Sequence, residues 1–196
     1  GKLGARTELN VQEGGTFKFD YTANPGNNRM KNSAVVNLNG GTLAMEGKTS
    51  NAHTNERVGA INLTGGGNTI DLVNNRSNRR TRFRADEFTR SNNATVNFTN
   101  SETTNGTFSN VGNNPVFQFY VTPPTFDDGI LAYATVNGTS FAGITGNALT
   151  AYNSTNTAQG SWSSTTNAAP ASDQTLTADR DLNSLVLASG VDIDLN

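Results

Sequence analysis

A short motif of strand, turn and strand recurs along the chain at intervals typical of a solenoid. The motif is an apolar–Asn–apolar triplet, a turn containing Gly or Asn, and a Thr–apolar pair. Its four copies begin at Leu9-Asn10-Val11, Val36-Asn37-Leu38, Ile61-Asn62-Leu63 and Val96-Asn97-Phe98. Apolar residues two apart share one face of a strand, and the Asn between them lies on the other face. One such unit cannot bury its apolar face alone, whereas stacked units can.

The intervals between the four copies are unequal. The central asparagines, at positions 10, 37, 62 and 97, are 27, 25 and 35 residues apart. In a stack of coils, the extra residues of a longer interval leave the ladder as a loop. We therefore predict a looped-out insertion over residues 74–92, which are rich in Arg and Asn, and an exposed loop over residues 153–174, which are rich in Ser, Thr, Asn and Ala.

These patterns predict an all-β fold, a parallel β-helix or β-solenoid, with residues 1–196 forming a single segment of a larger or polymerised array. The tail over residues 182–195 restarts alternating strands and stops where a further turn is expected. A sandwich of β-hairpins is the alternative, because a Gly-Gly turn between strands also fits a hairpin. The triplets are predicted to line one interior column, formed by Leu9, Val11, Val36, Leu38, Ile61, Leu63, Val96 and Phe98.

Composition supports an all-β, turn-rich chain. Asn occurs 29 times, Thr 27 times and Gly 20 times, whereas charged residues make up only 15% of the chain, too few for an ordinary disordered segment. Asn and Gly accept left-handed backbone at turns, and Thr favours strands. The chain has no Cys, which excludes a disulfide framework, a thiolate zinc site and a cysteine nucleophile.

The charge balance and hydropathy limit the partners. The formal net charge is −2, which argues against a nucleic-acid binder, since such a protein needs a broad basic field. No apolar stretch approaches the roughly 20 residues of a membrane span. The sequence opens Gly-Lys-Leu without an initiator Met or a signal segment, so we expect a processed or partial chain.

Arginines form the most concentrated charge in the sequence. The guanidinium fork suits carboxylates and phosphates, so the cluster is a candidate interaction site for acidic polysaccharide, for phosphate groups of surface glycans or for an acidic neighbouring subunit. The alternative is a solvated insertion that Asp86 and Glu87 partly neutralise. The candidate residues are Arg76, Arg79, Arg80, Arg82, Arg84 and Arg90.

No cofactor is predicted, although three acidic or Gly-rich segments raise the question of Ca²⁺. They are Asp127-Asp128-Gly129, the pair Asp192 and Asp194, and Gly65–Leu72, which partly matches a calcium-binding nonapeptide. The nonapeptide match fails in the position of its Asp and does not repeat every nine residues. Turn capping and solvent-facing strand positions explain these aspartates equally well.

Catalytic patterns are not found, so no enzyme activity is predicted. Ser-His-Asp chemistry on a nucleophile elbow needs Gly-x-Ser-x-Gly, which the chain lacks, and no pair of carboxylates is singled out for glycosidase chemistry. The single histidine, His53, lies in a polar segment, where it is expected to be solvated, and cannot form a multi-histidine metal cage. Trp162 fits either sugar stacking or a loop anchor.

Two segments carry a family resemblance. Residues 93–98, Asn-Ala-Thr-Val-Asn-Phe, are followed by Pro123-Pro124-Thr125 and by residues 129–142, which contain Ala-Thr-Val-Asn-Gly-Thr-Ser-Phe-Ala. This order resembles the autotransporter-associated β-strand repeat proteins, which are large bacterial surface proteins. The family usually has Trp near Tyr133 and Asp at Ser140, so the match departs at two positions. The resemblance implies secretion and a right-handed parallel β-helix, and it carries over no catalytic residues.

The expected function is structural. We predict an extracellular protein of a bacterial surface layer, filament or adhesin that self-associates head to tail, because solenoid ends present unpaired strand edges. The alternatives are a carbohydrate-active β-helix, such as a polysaccharide lyase or a tailspike-like depolymerase, and a non-catalytic glycan-binding module. Surface polysaccharide is therefore a candidate partner, whereas nucleic acid and a membrane span are not expected.

Overall fold

The computed structural model describes residues 3, 7–23, 26–101, 108–109 and 111–195. These residues form strands and one 3₁₀ helix, Gln159–Ser161. The strands are β1 Glu8–Gln12, β2 Thr16–Asp20, β3 Val35–Asn39, β4 Thr42–Glu46, β5 Thr54–Gly65, β6 Gly67–Val73, β7 Thr81–Arg90, β8 Thr95–Thr99, β9 Val116–Thr122, β10 Leu131–Val136, β11 Ser140–Thr145, β12 Ala148–Ala151, β13 Asn167–Ala168, β14 Gln174–Leu176, β15 Ser184–Leu185 and β16 Ile193–Leu195.

Twelve of these strands form one sheet made of two parallel rows. The first row is β1-β3-β5-β7-β9, the second is β2-β4-β6-β8-β10, and the antiparallel strands β11 and β12 join the two rows at one end. Odd and even strands alternate along the chain, so each coil contributes one strand to each row. The fold is a β-solenoid of about three turns, as the repeat predicts. Sandwich hairpins would pair neighbouring strands antiparallel, and these rows pair in parallel.

Each coil has three faces because β5 and β7 each serve two of them. Within β5 the pairing with β7 is interrupted at Gly59, where the alternation of buried residues also changes phase. A Cβ at Gly59 would lie 2.9 Å from the backbone of Ser33, so the bend needs a glycine. We call β1, β3, Ala60–Gly65 and Glu87–Arg90 face A, and β2, β4, β6, β8 and β10 face B. Face C comprises Thr54–Val58, Thr81–Ala85 and β9.

The fourth copy of the repeat lies elsewhere than the sequence pattern suggests. Phe88 on β7 continues the column of Leu9, Val36 and Ile61, whereas Phe98 on β8 pairs with Ile70 on face B. The prediction that Val96 and Phe98 complete the first column is therefore wrong. The central residues of the face A triplets, Asn10, Asn37, Asn62 and Thr89, are 27, 25 and 27 residues apart. The stack is thus more regular than the sequence indicated.

The prediction of a looped-out insertion over residues 74–92 is also wrong. Residues 81–90 form β7, which pairs in parallel with β5 on one side and with β9 on the other. Only residues 74–80 and 91–92 lie outside strands. The predicted loop over residues 153–174 is mostly irregular, but it includes the short helix and β13. In the fourth copy of the repeat the turn corresponds to the Asn-Gly-Thr sequence at residues 105–107, which lies outside the described residues.

The interior of the solenoid is aromatic and aliphatic. Phe83 and Phe117 stack with ring centroids 6.0 Å apart, and Phe98 lies 4.9 Å from Phe117. One carboxylate, Glu56, also points inward and is fully buried. It accepts hydrogen bonds from the Tyr21 hydroxyl and from the backbone amide of Arg29, and burial raises its pKa. These bonds satisfy the buried polar group, as a stable interior requires.

Short parallel pairs continue the chain beyond β12. β13 pairs with β15, and β14 pairs with β16, so residues 167–195 contain two further parallel ladders of two and three residue pairs. Asn167 and Asn183 attach this region to the main sheet, since their side-chain amides donate to the carbonyls of Asp128 and Asp127. The tail therefore does restart strands.

Candidate functional site

A shallow groove on face C gathers basic and amide side chains from three coils. Its volume is about 510 Å³, within the size range of ligand sites. It is lined by Asn27, Asn28, Asn32, His53, Asn55, Arg57, Arg80, Arg82 and Arg84.

Strand alternation places the arginines of the groove on the outer surface. In the face C part of β7 the buried residues are Thr81, Phe83 and Ala85, so Arg82 and Arg84 point outward. Arg57 on β5 lies beside Arg84 in the parallel register. Adjacent strands are about 4.8 Å apart, and alternate residues of one strand are about 6.6 Å apart. The arginines of this face are therefore separated by the first spacing across neighbouring strands and by the second along one strand.

Most of these cations have no carboxylate partner among the described residues. Arg57 is the exception, since its Nε and one terminal nitrogen donate to the two Asp86 oxygens at 2.8 and 2.9 Å. Arg84 donates to the Gln118 amide oxygen at 3.1 Å, and Arg80 donates to the Gly112 carbonyl at 2.8 Å. The Nε of Arg82 is buried without a hydrogen-bond partner in the part of the chain that the structure describes.

The electrostatics of the groove show uncompensated positive charge. Burial, together with Arg84 and Arg80, lowers the pKa of Arg82. Burial also lowers the pKa of His53, and Arg79, Arg80 and Arg82 lower it further. The Nδ1 atom of His53 accepts a hydrogen bond from the Arg80 backbone amide at 3.1 Å, which orients the ring. An anion entering this groove would relieve the repulsion.

Some of the six predicted arginines line the groove and others do not. Arg80, Arg82 and Arg84 line the groove, and Arg79 is close enough to influence His53. Arg76 is exposed and does not line the groove. Arg90 lies at the end of β7, where its Nε donates to the Ala94 carbonyl at 2.7 Å and its guanidinium lies 4.8 Å from the Tyr133 ring centroid.

Sequence reasoning missed Arg57, His53 and the four asparagines of the groove. Asp86, which was expected to neutralise the arginine cluster, pairs with Arg57 instead. The available signal was the coil period, because Arg57 precedes Arg84 by one face A spacing of 27 residues. The misassigned insertion hid that relation, since it removed β7 from the stack.

Face A presents the opposite arrangement of polar groups. The Asn37 amide donates to Asn10 Oδ1 at 2.8 Å, and the Asn62 amide donates to Asn37 Oδ1 at 2.8 Å. The Thr89 hydroxyl then donates to Asn62 Oδ1 at 2.7 Å. We call this row, Asn10, Asn37, Asn62 and Thr89, the asparagine ladder. Its amides are bonded to one another along the stack.

The aspartates considered for Ca²⁺ lie in turns, in loops and on strands, and several take part in hydrogen bonds within the protein. Asp128 and Gly129 both have positive φ, 43° and 85°, as a tight two-residue turn requires. The Asp71 carboxylate accepts from the Thr99 hydroxyl, at 2.8 Å, and from Ser101. The backbone amide of Asp192 donates to the Asp173 carboxylate. Among the described residues, no three His, Cys, Asp or Glu side chains are grouped to hold a metal ion.

Two further features bear on function. Trp162 is 7% exposed and its indole donates to the Thr157 carbonyl at 3.1 Å, so it anchors the loop rather than presenting its ring for sugar stacking. No helix within the described residues is long and apolar enough to cross a membrane.

Comparison of the chain with protein-family models, with curated proteins and with solved structures finds no match.

Proposed function

We propose that this protein is a structural β-solenoid of a bacterial cell-surface filament, layer or adhesin, which acts by stacking end to end rather than by catalysis. The observation that carries the proposal is the edge formed by β1 and β2. Among the described residues, β1 pairs only with β3 and β2 pairs only with β4, so each strand has one edge without a partner.

The apolar cross-section is also open at this edge. Leu9 and Phe17 are partly exposed, whereas their register partners one coil further, Val36 and Leu43, are 0% and 1% exposed. Unpaired backbone groups beside an apolar surface favour addition of another strand. A further coil placed on this edge would bury both.

The opposite region offers a complementary edge. β15 pairs only with β13 and β16 pairs only with β14 among the described residues, and Leu195 is 75% exposed. Pairing of β1 and β2 with such an edge of a second copy would be head to tail. Heterologous contacts of this kind produce rings or open filaments. The resemblance to autotransporter-associated repeats supports placing the assembly on a bacterial exterior.

The test is association of the purified chain, with one edge blocked. The Thr7 carbonyl accepts a hydrogen bond from the Val35 amide, and alternate residues direct their backbone groups to opposite edges, so the Asn10 amide points to the open edge. Asn10→Pro removes that donor without removing a bond to β3. We expect sedimentation velocity to show concentration-dependent oligomers of the wild type and monomers of Asn10→Pro.

Asn10→Ala is the matched control. It removes the side-chain contact with Asn37 but keeps the backbone amide, so association should persist. A wild-type chain that stays monomeric at all concentrations, or an Asn10→Pro variant that associates like Asn10→Ala, would contradict the proposal.

A further inference from the structure

We propose that the groove on face C binds the carboxylate groups of an acidic polysaccharide. This inference is independent of end-to-end stacking, because the groove lies on the flank of the coils and uses none of β1, β2, β15 or β16. Failure of one proposal therefore leaves the other standing.

The arginines of the groove are held in a fixed arrangement by paired strands. Arg82 and Arg84 point outward from one strand, and Arg57 lies beside Arg84 on the next. Across the register, Asn55 lies beside Arg82. The Nε of Arg82 is enclosed by the protein without a partner among the described residues, and Arg82 forms no ion pair there, so its positive charge is not compensated.

Carboxylate is an anion that an arginine of this face already binds. The fork of Arg57 already holds the Asp86 carboxylate by two hydrogen bonds at 2.8 and 2.9 Å, so the geometry for a carboxylate exists on this face. Arg84 Nε is bonded to Gln118 and Arg82 Nε is buried, so a ligand carboxylate would meet the terminal nitrogens of these two arginines. A chain with regularly spaced carboxylates can meet successive arginines, and one isolated anion cannot.

The other side chains of the groove suit sugar hydroxyls. Asn28 and Asn32 are exposed on one wall, and each amide offers both donors and an acceptor. Asn27 is already engaged, because its Oδ1 accepts from the Lys48 ammonium at 3.0 Å and from the backbone N–H of Asn55 at 3.2 Å. Hydroxyl groups that flank the carboxylates of a polysaccharide would find partners at the remaining amides.

Single-stranded nucleic acid fits the groove less well. Such ligands bind where aromatic rings form stacking platforms beside the cations. The neighbouring aromatic ring on face C is that of Tyr120, and the guanidinium groups of Arg57 and Arg84 lie 4.5 and 5.3 Å from its centroid. Tyr120 does not line the groove, and the chain as a whole carries a net charge of −2.

The single histidine of the chain gives a site-specific test. His53 lines the groove, and the groups that face it are Arg79, Arg80 and Arg82 together with Lys48, whose ammonium donates to the His53 carbonyl at 3.2 Å. The imidazole resonances are followed by NMR against pH, with and without trigalacturonate. A bound carboxylate should raise the pKa of His53 by about 0.5 unit, as expected for an opposite charge about 6 Å away in a water-like dielectric.

Three Arg→Gln variants, two within the groove and one outside it, show where the ligand binds. Arg82→Gln should weaken trigalacturonate binding about tenfold, the loss expected for one charge-assisted hydrogen bond, and should move the His53 response to correspondingly higher ligand concentrations. Arg84→Gln provides a second groove variant, in case the first is poorly folded. Arg76→Gln removes the same charge from an exposed arginine outside the groove and should bind like the wild type.

The choice of ligands separates the possible outcomes. Neutral maltotriose should leave His53 unchanged, and sodium sulfate at matched ionic strength should produce a smaller shift. Equal responses to sulfate and trigalacturonate, tighter binding of an oligothymidylate, or equal weakening by Arg76→Gln and Arg82→Gln would each overturn the proposal. An unchanged His53 titration at saturating trigalacturonate would also overturn it.

Discussion

Faces A and C of the same coils differ in the partners of their outward-facing polar side chains. On face A the asparagine ladder bonds each coil to the next through its own amides and hydroxyl. On face C, Arg82 and Arg84 stand at the corresponding outward positions without a carboxylate partner among the described residues. Both faces share the same parallel spacing and the same interior, so the difference comes from side-chain chemistry alone.

The comparison shows how one repeat can serve both stability and binding. Asparagine carries donor and acceptor on one short side chain, so identical residues stacked in register satisfy one another. Arginine carries only donors, so stacked arginines repel and need acceptors from other residues, as Arg57 has in Asp86 and Arg84 has in Gln118. A solenoid can thus reserve one face for cohesion between coils and another for a ligand.

The largest effect is expected from a change to the interior that both faces share. Leu63 is 0% exposed on face A, in register with Leu38. Leu63→Asp buries an unpaired charge and should cost at least about 4 kcal/mol in the free energy of unfolding, measured by urea denaturation. The volume-conserving Leu63→Met should cost less than about 1.5 kcal/mol. Wild-type stability of Leu63→Asp would refute the interior column.

A smaller loss is expected when the asparagine ladder is interrupted. Asn37 occupies its middle, donating to Asn10 and accepting from Asn62 at 2.8 Å each. Asn37→Ala removes both ladder bonds and a third bond, to the Glu8 carboxylate, and should lower the free energy of unfolding by about 1–2 kcal/mol. Asn32→Ala, an exposed asparagine of the groove, should change it by less than about 0.5 kcal/mol. Equal losses in the two variants would mean that the ladder adds no stability.

The smallest predicted change is an increase in the free energy of unfolding rather than a loss. Arg82 is partly buried, which lowers its pKa, and the neighbouring Arg84 and Arg80 lower it further. Arg82→Gln relieves repulsion and should raise the free energy of unfolding by less than about 1 kcal/mol, with the gain shrinking as salt is added. Arg76→Gln is the exposed reference. Destabilisation by Arg82→Gln would show that this arginine supports the fold, contrary to a ligand-binding role.

The solenoid could be predicted from the sequence because most coils repeat the same triplet. The three triplets centred on Asn10, Asn37 and Asn62 stack in register as expected. The fourth was missed because Thr89 replaces the asparagine and Arg90 replaces the second apolar residue. Thr89 nevertheless donates the same hydrogen bond to Asn62, so the structure conserves the contact rather than the residue type.

The candidate site could be predicted only in part. Arg80, Arg82 and Arg84 are adjacent in sequence, so a concentration of charge reveals them. Arg57 and His53 belong to the preceding coil, and only the correct register between β5 and β7 brings them to the same groove. A local reading of charge also placed Arg90 in the cluster, although it lies on face A, where it contacts Ala94.

Amide chemical-shift mapping tests the contrast between the two faces most directly. Trigalacturonate is titrated into the uniformly labelled chain, and each backbone amide of face A and face C is followed. We predict that the shifts concentrate at residues 27–32, 53–57 and 80–84, and that the asparagine ladder is unaffected. Shifts concentrated on Asn10, Asn37, Asn62 and Thr89, or spread evenly over both faces, would contradict the assignment of binding to face C.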